Sequence, residues 1–177
     1  MRFVVTGEWT KNRLLTVIVW LFLLYTFLFW ITAGAMYFNQ MGLSYHSVVV
    51  QYLGDEATFK GPHTYEGMLE QAHFHLFAMG MLLMTLTHLL LFVPLPQGFK
   101  AALITAAFSG GLLNEGSGWL VRFVSPRFAY LKIGGFLLLQ TSLLVLMIAA
   151  AWALFTRAPS AYMQPFTQPR ADSDTGP

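Results

Sequence analysis

The stretch AHFHLFAMGMLLMTLTHLLLFV, residues 72–93, decides the fold of this chain. It is apolar throughout, apart from a few histidines and threonines. About 20 residues of α-helix cross the hydrocarbon core of a bilayer, which is roughly 30 Å thick. The stretch therefore predicts a transmembrane helix. Pro94 and Pro96 follow at once and end that helix, so the next apolar run must return antiparallel to it.

Three further apolar runs flank this one in the chain. Together the four runs predict transmembrane helices at about 14–33, 68–93, 100–121 and 131–155. The predicted fold is all-α: a four-helix transmembrane bundle that forms a single domain over residues 1–156. A proline-rich tail, 157–177, predicts a disordered cytoplasmic segment.

Composition agrees with a membrane protein and excludes several other classes. Hydrophobic residues make up 56% of the chain and charged residues only 10%, against about a quarter in a soluble domain. The net charge of +2 is too weak for nucleic-acid binding, so no nucleic-acid partner is expected. The absence of cysteine excludes disulfides, thiolate metal sites and iron–sulfur clusters. Any cofactor must be held by His, Met, carboxylate or backbone groups.

Basic residues predict the orientation of the chain. Arg2, Lys11 and Arg13 flank the first helix, and positive charge favours the cytoplasmic side. Both termini are therefore expected to be cytoplasmic, in a multi-pass protein of the bacterial inner membrane.

The first outer loop has room for a short helix. Ser44 is a suitable N-cap and Gly54 a suitable end, with Tyr45, Val48 and Tyr52 among the residues on one apolar face. The sequence predicts an amphipathic helix that lies on the outer membrane surface.

Ionisable residues within a membrane span are costly, so each one is a candidate functional residue. The titratable side chains concentrate near the outer ends of the second and third spans and in the first outer loop, and only one histidine lies near the inner face. The residues concerned are His46, His63, Glu70, His73, His75, His88 and Glu115. Because the two spans are antiparallel, His75 and Glu115 are expected at similar depth.

A metal ion is one ligand that this cluster suggests. Glu70 and His73 are three residues apart and share a helix face, whereas His75 points away from both. Glu115 on the next span is the third predicted ligand. The sequence predicts a mononuclear site from Glu70, His73 and Glu115, completed by a loop histidine.

Haem b is the other candidate cofactor. His73 and His75 lie about 20 Å of helix away from His88, a rise that suits two haems stacked across a membrane. The remaining axial ligands would have to be His46 or His63, because the other spans contain no histidine. An outer haem can be built in this way, while an inner haem on His88 needs a ligand from elsewhere.

Several segments resemble a family of small uncharacterised proteobacterial membrane proteins with four spans. The resemblance rests on the sequences HFHLFAMG (73–80), THL (87–89), SGWLVR (117–122) and SPRFAYLK (125–132). It implies a respiratory or cytochrome-associated context, and no residue roles. The architecture also resembles four-helix membrane cytochromes b, although here the membrane histidines are confined to one helix.

The sequence leaves three functions open. The leading hypothesis is an electron-transfer subunit that holds haem b or a metal ion near the outer face, linked to quinone and to membrane or periplasmic redox partner proteins. The alternative is a non-catalytic accessory or assembly subunit of a respiratory complex. A metal-ion or proton carrier is the third.

Overall fold

A computed structural model of the chain describes residues 13–155 and contains five α-helices in that part. They are α1 (Arg13–Gln40), α2 (Tyr45–Leu53), α3 (Tyr65–Leu91), α4 (Gln97–Phe123) and α5 (Ala129–Phe155). Single 3-10 turns at Glu56–Thr58 and Pro126–Phe128 complete the connections. The all-α prediction is confirmed. The predicted tail, 157–177, lies outside the described residues.

Within residues 13–155, three segments are long and apolar enough to cross a membrane, against the four that the sequence predicted. They are Arg13–Gln40, Tyr65–Leu91 and Pro126–Phe155, which contain α1, α3 and α5. At 27 residues α4 is as long as α3, but it is less apolar, with Asn114 and Glu115 among several glycines. The difference between three and four spans therefore rests on α4 alone.

The helix α4 lies antiparallel to α3 along its length. Near its start, Lys100 Nζ donates a hydrogen bond to the Leu91 carbonyl at the end of α3, at 2.8 Å. Further along, Gly111 lies against Leu83, and Glu115 meets His75 in the first half of α3. The antiparallel return predicted from the Pro94 and Pro96 turn is thus the observed packing.

Two glycines let α4 and α5 approach closely. A Cβ atom added at Gly110 would lie 2.8 Å from the Leu139 nitrogen, and one added at Gly135 would lie 2.7 Å from the Asn114 nitrogen. Such distances allow only glycine, and small residues of this kind are how membrane helices bring their backbones together. The α4–α5 pair is therefore the most tightly packed interface of the bundle.

The helix α1 packs on α5 rather than on α3. Trp30 Nε1 donates to the Gln140 carbonyl at 2.9 Å, and the Tyr37 ring stacks on Phe136. Tyr37 lies in the part of α1 that runs beyond the predicted end at residue 33, and its burial against Phe136 accounts for the longer helix. Because α1 leans on α5, a gap remains between α1 and α3.

The helix α2 forms where the sequence predicted it. The Ser44 side chain accepts a hydrogen bond from the Ser47 amide, and Gly54 ends the helix with φ of 83°. Its apolar face packs on protein, because Val48 and Tyr52 are buried against α4 and α5. The helix therefore closes one end of the bundle, which we call the α2 end.

Candidate functional site

A cavity of about 290 Å³ fills the gap between α1 and α3. Its walls in the middle of the bundle are apolar and include Phe29, Leu83 and Leu143. Met36 on α1 and Leu76 on α3 line the cavity and yet remain exposed, so it opens sideways between these two helices. Toward the α2 end, polar side chains replace the apolar walls.

The first polar feature is a pair formed by His75 on α3 and Glu115 on α4. His75 Nδ1 lies 3.3 Å from Glu115 Oε2, and both residues line the cavity. The Glu115 side chain is only 13% exposed, while that of His75 is 52% exposed. An acid and a base in contact at the end of an apolar cavity can accept, hold and release a proton.

A buried lysine adjoins this pair. Lys132 on α5 is 5% exposed, and its Nζ donates to the Asn114 carbonyl at 2.6 Å. The same Nζ lies 5.9 Å from the centre of the Tyr52 ring. Burying an ammonium group is costly without compensation, and these contacts, with Glu115 nearby, offset that cost.

Two polar atoms on the cavity wall are buried without a hydrogen-bond partner among residues 13–155. They are the Tyr37 hydroxyl and the Asn114 Oδ1 atom. Buried polar atoms are nearly always paired, because leaving one unpaired costs free energy. Each of these two atoms can therefore form a hydrogen bond with a ligand or a water molecule in the cavity.

Contacts around His63 close the α2 end of the cavity. We call the group formed by His63, Gln51, Tyr52, Lys60 and Arg122 the latch. The His63 backbone N–H donates to the Tyr52 carbonyl at 3.1 Å, and its carbonyl accepts from Arg122 Nε on α4 at 2.8 Å. The imidazole lines the cavity and packs beside the Tyr52 ring. His63 thus connects the loop between α2 and α3 both to α2 and to α4.

Hydrogen bonds in this latch fix the protonation of the imidazole. Lys60 Nζ donates to Gln51 Oε1, which turns Gln51 Nε2 toward His63 Nε2 at 3.0 Å. The imidazole must accept there, so it is neutral and carries its proton on Nδ1. Consistently, the pKa of His63 is lowered by burial and, to a lesser extent, by the charges of Lys60 and Arg122. Burial, assisted by the charge of Glu115, raises the pKa of Tyr52.

Residues 42–161 match the sequence model of the Aq_1264_TM family, which is described as a transmembrane helical domain. The chain belongs to this family. Membership in this family and the candidate spans together show that the chain is a membrane protein. The match also confirms the predicted resemblance to a family of helical membrane proteins. No curated protein and no solved structure matches the chain.

All seven predicted site residues fall within the Aq_1264_TM match, and the structure brings only some of them together. His63, His75 and Glu115 line one cavity. His46 is exposed on α2, and His88 is exposed near the end of α3, edge-on to Phe92.

The predicted metal ligands separate into two places. Glu70 and His73 line a shallow depression on the exposed side of α3, while Glu115 contacts His75 about 200° around that helix. Within residues 13–155, no group of three or more His, Cys, Asp or Glu side chains is arranged to hold a metal ion.

Four residues that line the cavity were not predicted from the sequence as site residues: Tyr37, Tyr52, Asn114 and Lys132. One signal was present for Lys132, because it lies inside the predicted span 131–155, where a charge is costly. For Tyr37 and Tyr52 no local signal exists, since their role depends on how α1 and α2 pack on α4 and α5.

Proposed function

We propose that the protein is an electron-transfer subunit of the bacterial inner membrane, and that its cavity binds the headgroup of a lipid-soluble quinone. One observation carries the proposal: the contact between His75 and Glu115 at the polar end of an apolar cavity that opens between α1 and α3. We further propose that the α2 end faces the outside, as the basic residues before α1 favour.

The proposal includes α4 as a fourth span. Its 27 residues give a length of about 40 Å, enough to cross a bilayer. It runs antiparallel to α3 and to α5, two segments that are themselves long and apolar enough to span. If both cross the membrane in the same direction, the helix between them must carry the chain back across it. The polar residues of α4 then face the cavity.

A quinone suits the cavity because its two ends differ in polarity. The isoprenoid tail of such a carrier is apolar and stays in the bilayer, and the sideways opening beside Met36 and Leu76 admits a ligand from there. The ring carries oxygens that need hydrogen bonds, which the polar end can supply. Sites of this kind are mostly apolar with a few placed polar groups.

The proposal assigns proton handling to His75 and Glu115. Oxidation of a quinol to a quinone releases two protons and two electrons. His75 would take the two protons one after the other from the ring hydroxyls, passing the first to water at the outer face before it takes the second, and Glu115 would stabilise the imidazolium formed each time. We propose that the electrons pass to a redox partner protein at the outer face.

Binding of a short-chain benzoquinol and benzoquinone to the purified full-length protein tests the proposal. We expect saturable binding to the wild type, weakened by Glu115→Leu and unchanged by His88→Ala, since His88 lies exposed at the other end of α3. Absence of saturable binding of either form overturns the proposal. That outcome favours the accessory-subunit alternative, which requires no ligand.

Haem b remains a second candidate ligand, favoured by one observation. His63 and His75 line the same cavity from different segments of the chain, as two axial ligands would. His63 would first have to give up its hydrogen bond with Gln51. An absorption spectrum of the purified protein tests this candidate: a Soret band that His75→Ala removes supports it, and the lack of a Soret band excludes it.

A further inference from the structure

We infer that the cavity selects the reduced form of its ligand, a hydroquinone, over the oxidised quinone. This inference rests on the proposed function, because it concerns which redox form the same cavity takes. It comes from the hydrogen-bonding capacity of the cavity wall. The two forms share a ring and a tail, but a hydroquinone has two hydroxyl donors, whereas a quinone has only carbonyl acceptors.

Asn114 presents the first acceptor. Its Oδ1 atom is buried on the cavity wall and has no partner within the described part of the chain. An amide oxygen can only accept a hydrogen bond. The neighbouring lysine does not satisfy it, because Lys132 Nζ donates to the Asn114 backbone carbonyl instead. A ligand that satisfies Oδ1 must therefore bring a donor.

His75 presents the second acceptor. Its Nδ1 lies 3.3 Å from Glu115 Oε2, and in a hydrogen bond between these two atoms the imidazole N–H donates and the carboxylate oxygen accepts. In the neutral imidazole Nε2 then has a free lone pair. His75 lies at the opening, where it can accept the second hydroxyl of a hydroquinone.

Tyr37 does not discriminate between the two forms. Its hydroxyl, on a residue that is only 7% exposed, can donate to a carbonyl or accept from a hydroxyl with equal ease. The Tyr37 hydroxyl can therefore bind either redox form and does not decide which of them the cavity prefers. Lys132 also lines the cavity, and its Nζ donates to the Asn114 carbonyl and lies beside the Tyr52 ring. Asn114 Oδ1 and the His75 lone pair are the two groups that favour a hydroquinone, because a quinone oxygen would meet each of them lone pair to lone pair.

The experiment compares the dissociation constants of a decyl-substituted benzoquinol, kept reduced under anaerobic conditions, and of its benzoquinone. Both are measured on the full-length protein in lipid nanodiscs. We expect the quinol to bind at least about tenfold more tightly, the effect of leaving one buried acceptor unpaired. Asn114→Leu, which removes the acceptor, should reduce this ratio, and the matched control Asn39→Leu, at an exposed position of α1, should not.

A second variant covers the case in which Asn114→Leu fails to fold. In Glu115→Gln the amide can donate to His75 Nδ1, which moves the imidazole proton to Nε2 and turns the second acceptor into a donor. The quinol preference should then fall or reverse. Equal or tighter binding of the quinone to the wild type overturns the inference and leaves the proposed function standing. Failure of both forms to bind overturns the proposed function itself.

Discussion

Glu115 on α4 contacts His75 on α3, with 3.3 Å between the carboxylate and the imidazole. The two residues are 40 positions apart in sequence and meet because α3 and α4 run antiparallel. Glu115 is the more buried partner, so the pair has one protected group and one group that reaches the cavity opening. In the proposed function, this arrangement places His75 where it can take a proton from the ligand and Glu115 where it can stabilise the imidazolium that forms.

Removing the carboxylate at position 115 should weaken ligand binding more than removing one elsewhere on the same side of the bundle. We expect Glu115→Leu to lower benzoquinol affinity by about tenfold, because His75 loses the partner that orients its ring. Glu70→Leu is the control, since Glu70 is exposed on α3 outside this cavity. Calorimetric titration measures both. Equal affinities for the two variants would contradict the assigned role.

Adding one methyl group at the α4–α5 interface should destabilise the bundle. In Gly135→Ala the new Cβ would lie 2.7 Å from the Asn114 backbone nitrogen, and overpacking of this kind costs about 1–3 kcal/mol. We expect Tm in detergent to fall by about 5 °C. Gly134→Ala is a matched control, because a Cβ at Gly134 meets nothing within 4 Å. Similar Tm values for both variants would show that the helices are not in close contact.

The elements that the sequence predicts well depend on local signals. Residues 72–93 are long and apolar enough to cross a bilayer wherever they lie, and Ser44 and Gly54 define α2 through caps that involve only neighbouring residues. The similar depth of His75 and Glu115 followed from the antiparallel turn after residue 93. Such features need no knowledge of the packing between helices.

The features that the sequence does not predict depend on helix rotation and on distant contacts. Glu115 was grouped with Glu70 and His73, but the rotation of α4 directs it to His75. The docking of α2 depends on Gly118, where a Cβ would lie 2.7 Å from the Tyr52 hydroxyl. Nothing in either local sequence indicates that contact.

The loop that closes the α2 end should depend on a single glycine. Gly54 has φ of 83°, a conformation that L side chains rarely adopt, and a Cβ there would lie 2.5 Å from the Lys60 carbonyl. Gly54→Ala should cost about 1–3 kcal/mol locally and speed proteolysis of the 54–64 loop. Gly61→Ala, where a Cβ meets nothing within 4 Å, should leave the cleavage rate unchanged. Limited proteolysis of the three proteins decides whether Gly54 holds the loop closed.

Acidification should open the same loop through His63. Burial, and then the charges of Lys60 and Arg122, lower the pKa of His63 in the folded protein. The hydrogen bond from Gln51 also requires a neutral ring, and the Tyr52 ring packs beside it. Because the folded state binds a proton less readily than the unfolded one, the latch is fully stable above the unfolded pKa of about 6.5. Its stability falls as the pH drops below that value toward the lowered folded pKa.

Amide hydrogen exchange over residues 51–64, corrected for the intrinsic pH dependence of exchange, measures this effect. We expect exchange to accelerate between about pH 7.5 and pH 5.5, a range that brackets the unfolded pKa of histidine. His63→Gln should remove the acceleration, because glutamine does not titrate. His46→Gln should retain it, since His46 is exposed on α2 and takes no part in the latch. An acceleration that persists in His63→Gln would assign the pH dependence to another group and leave His63 with a purely structural role.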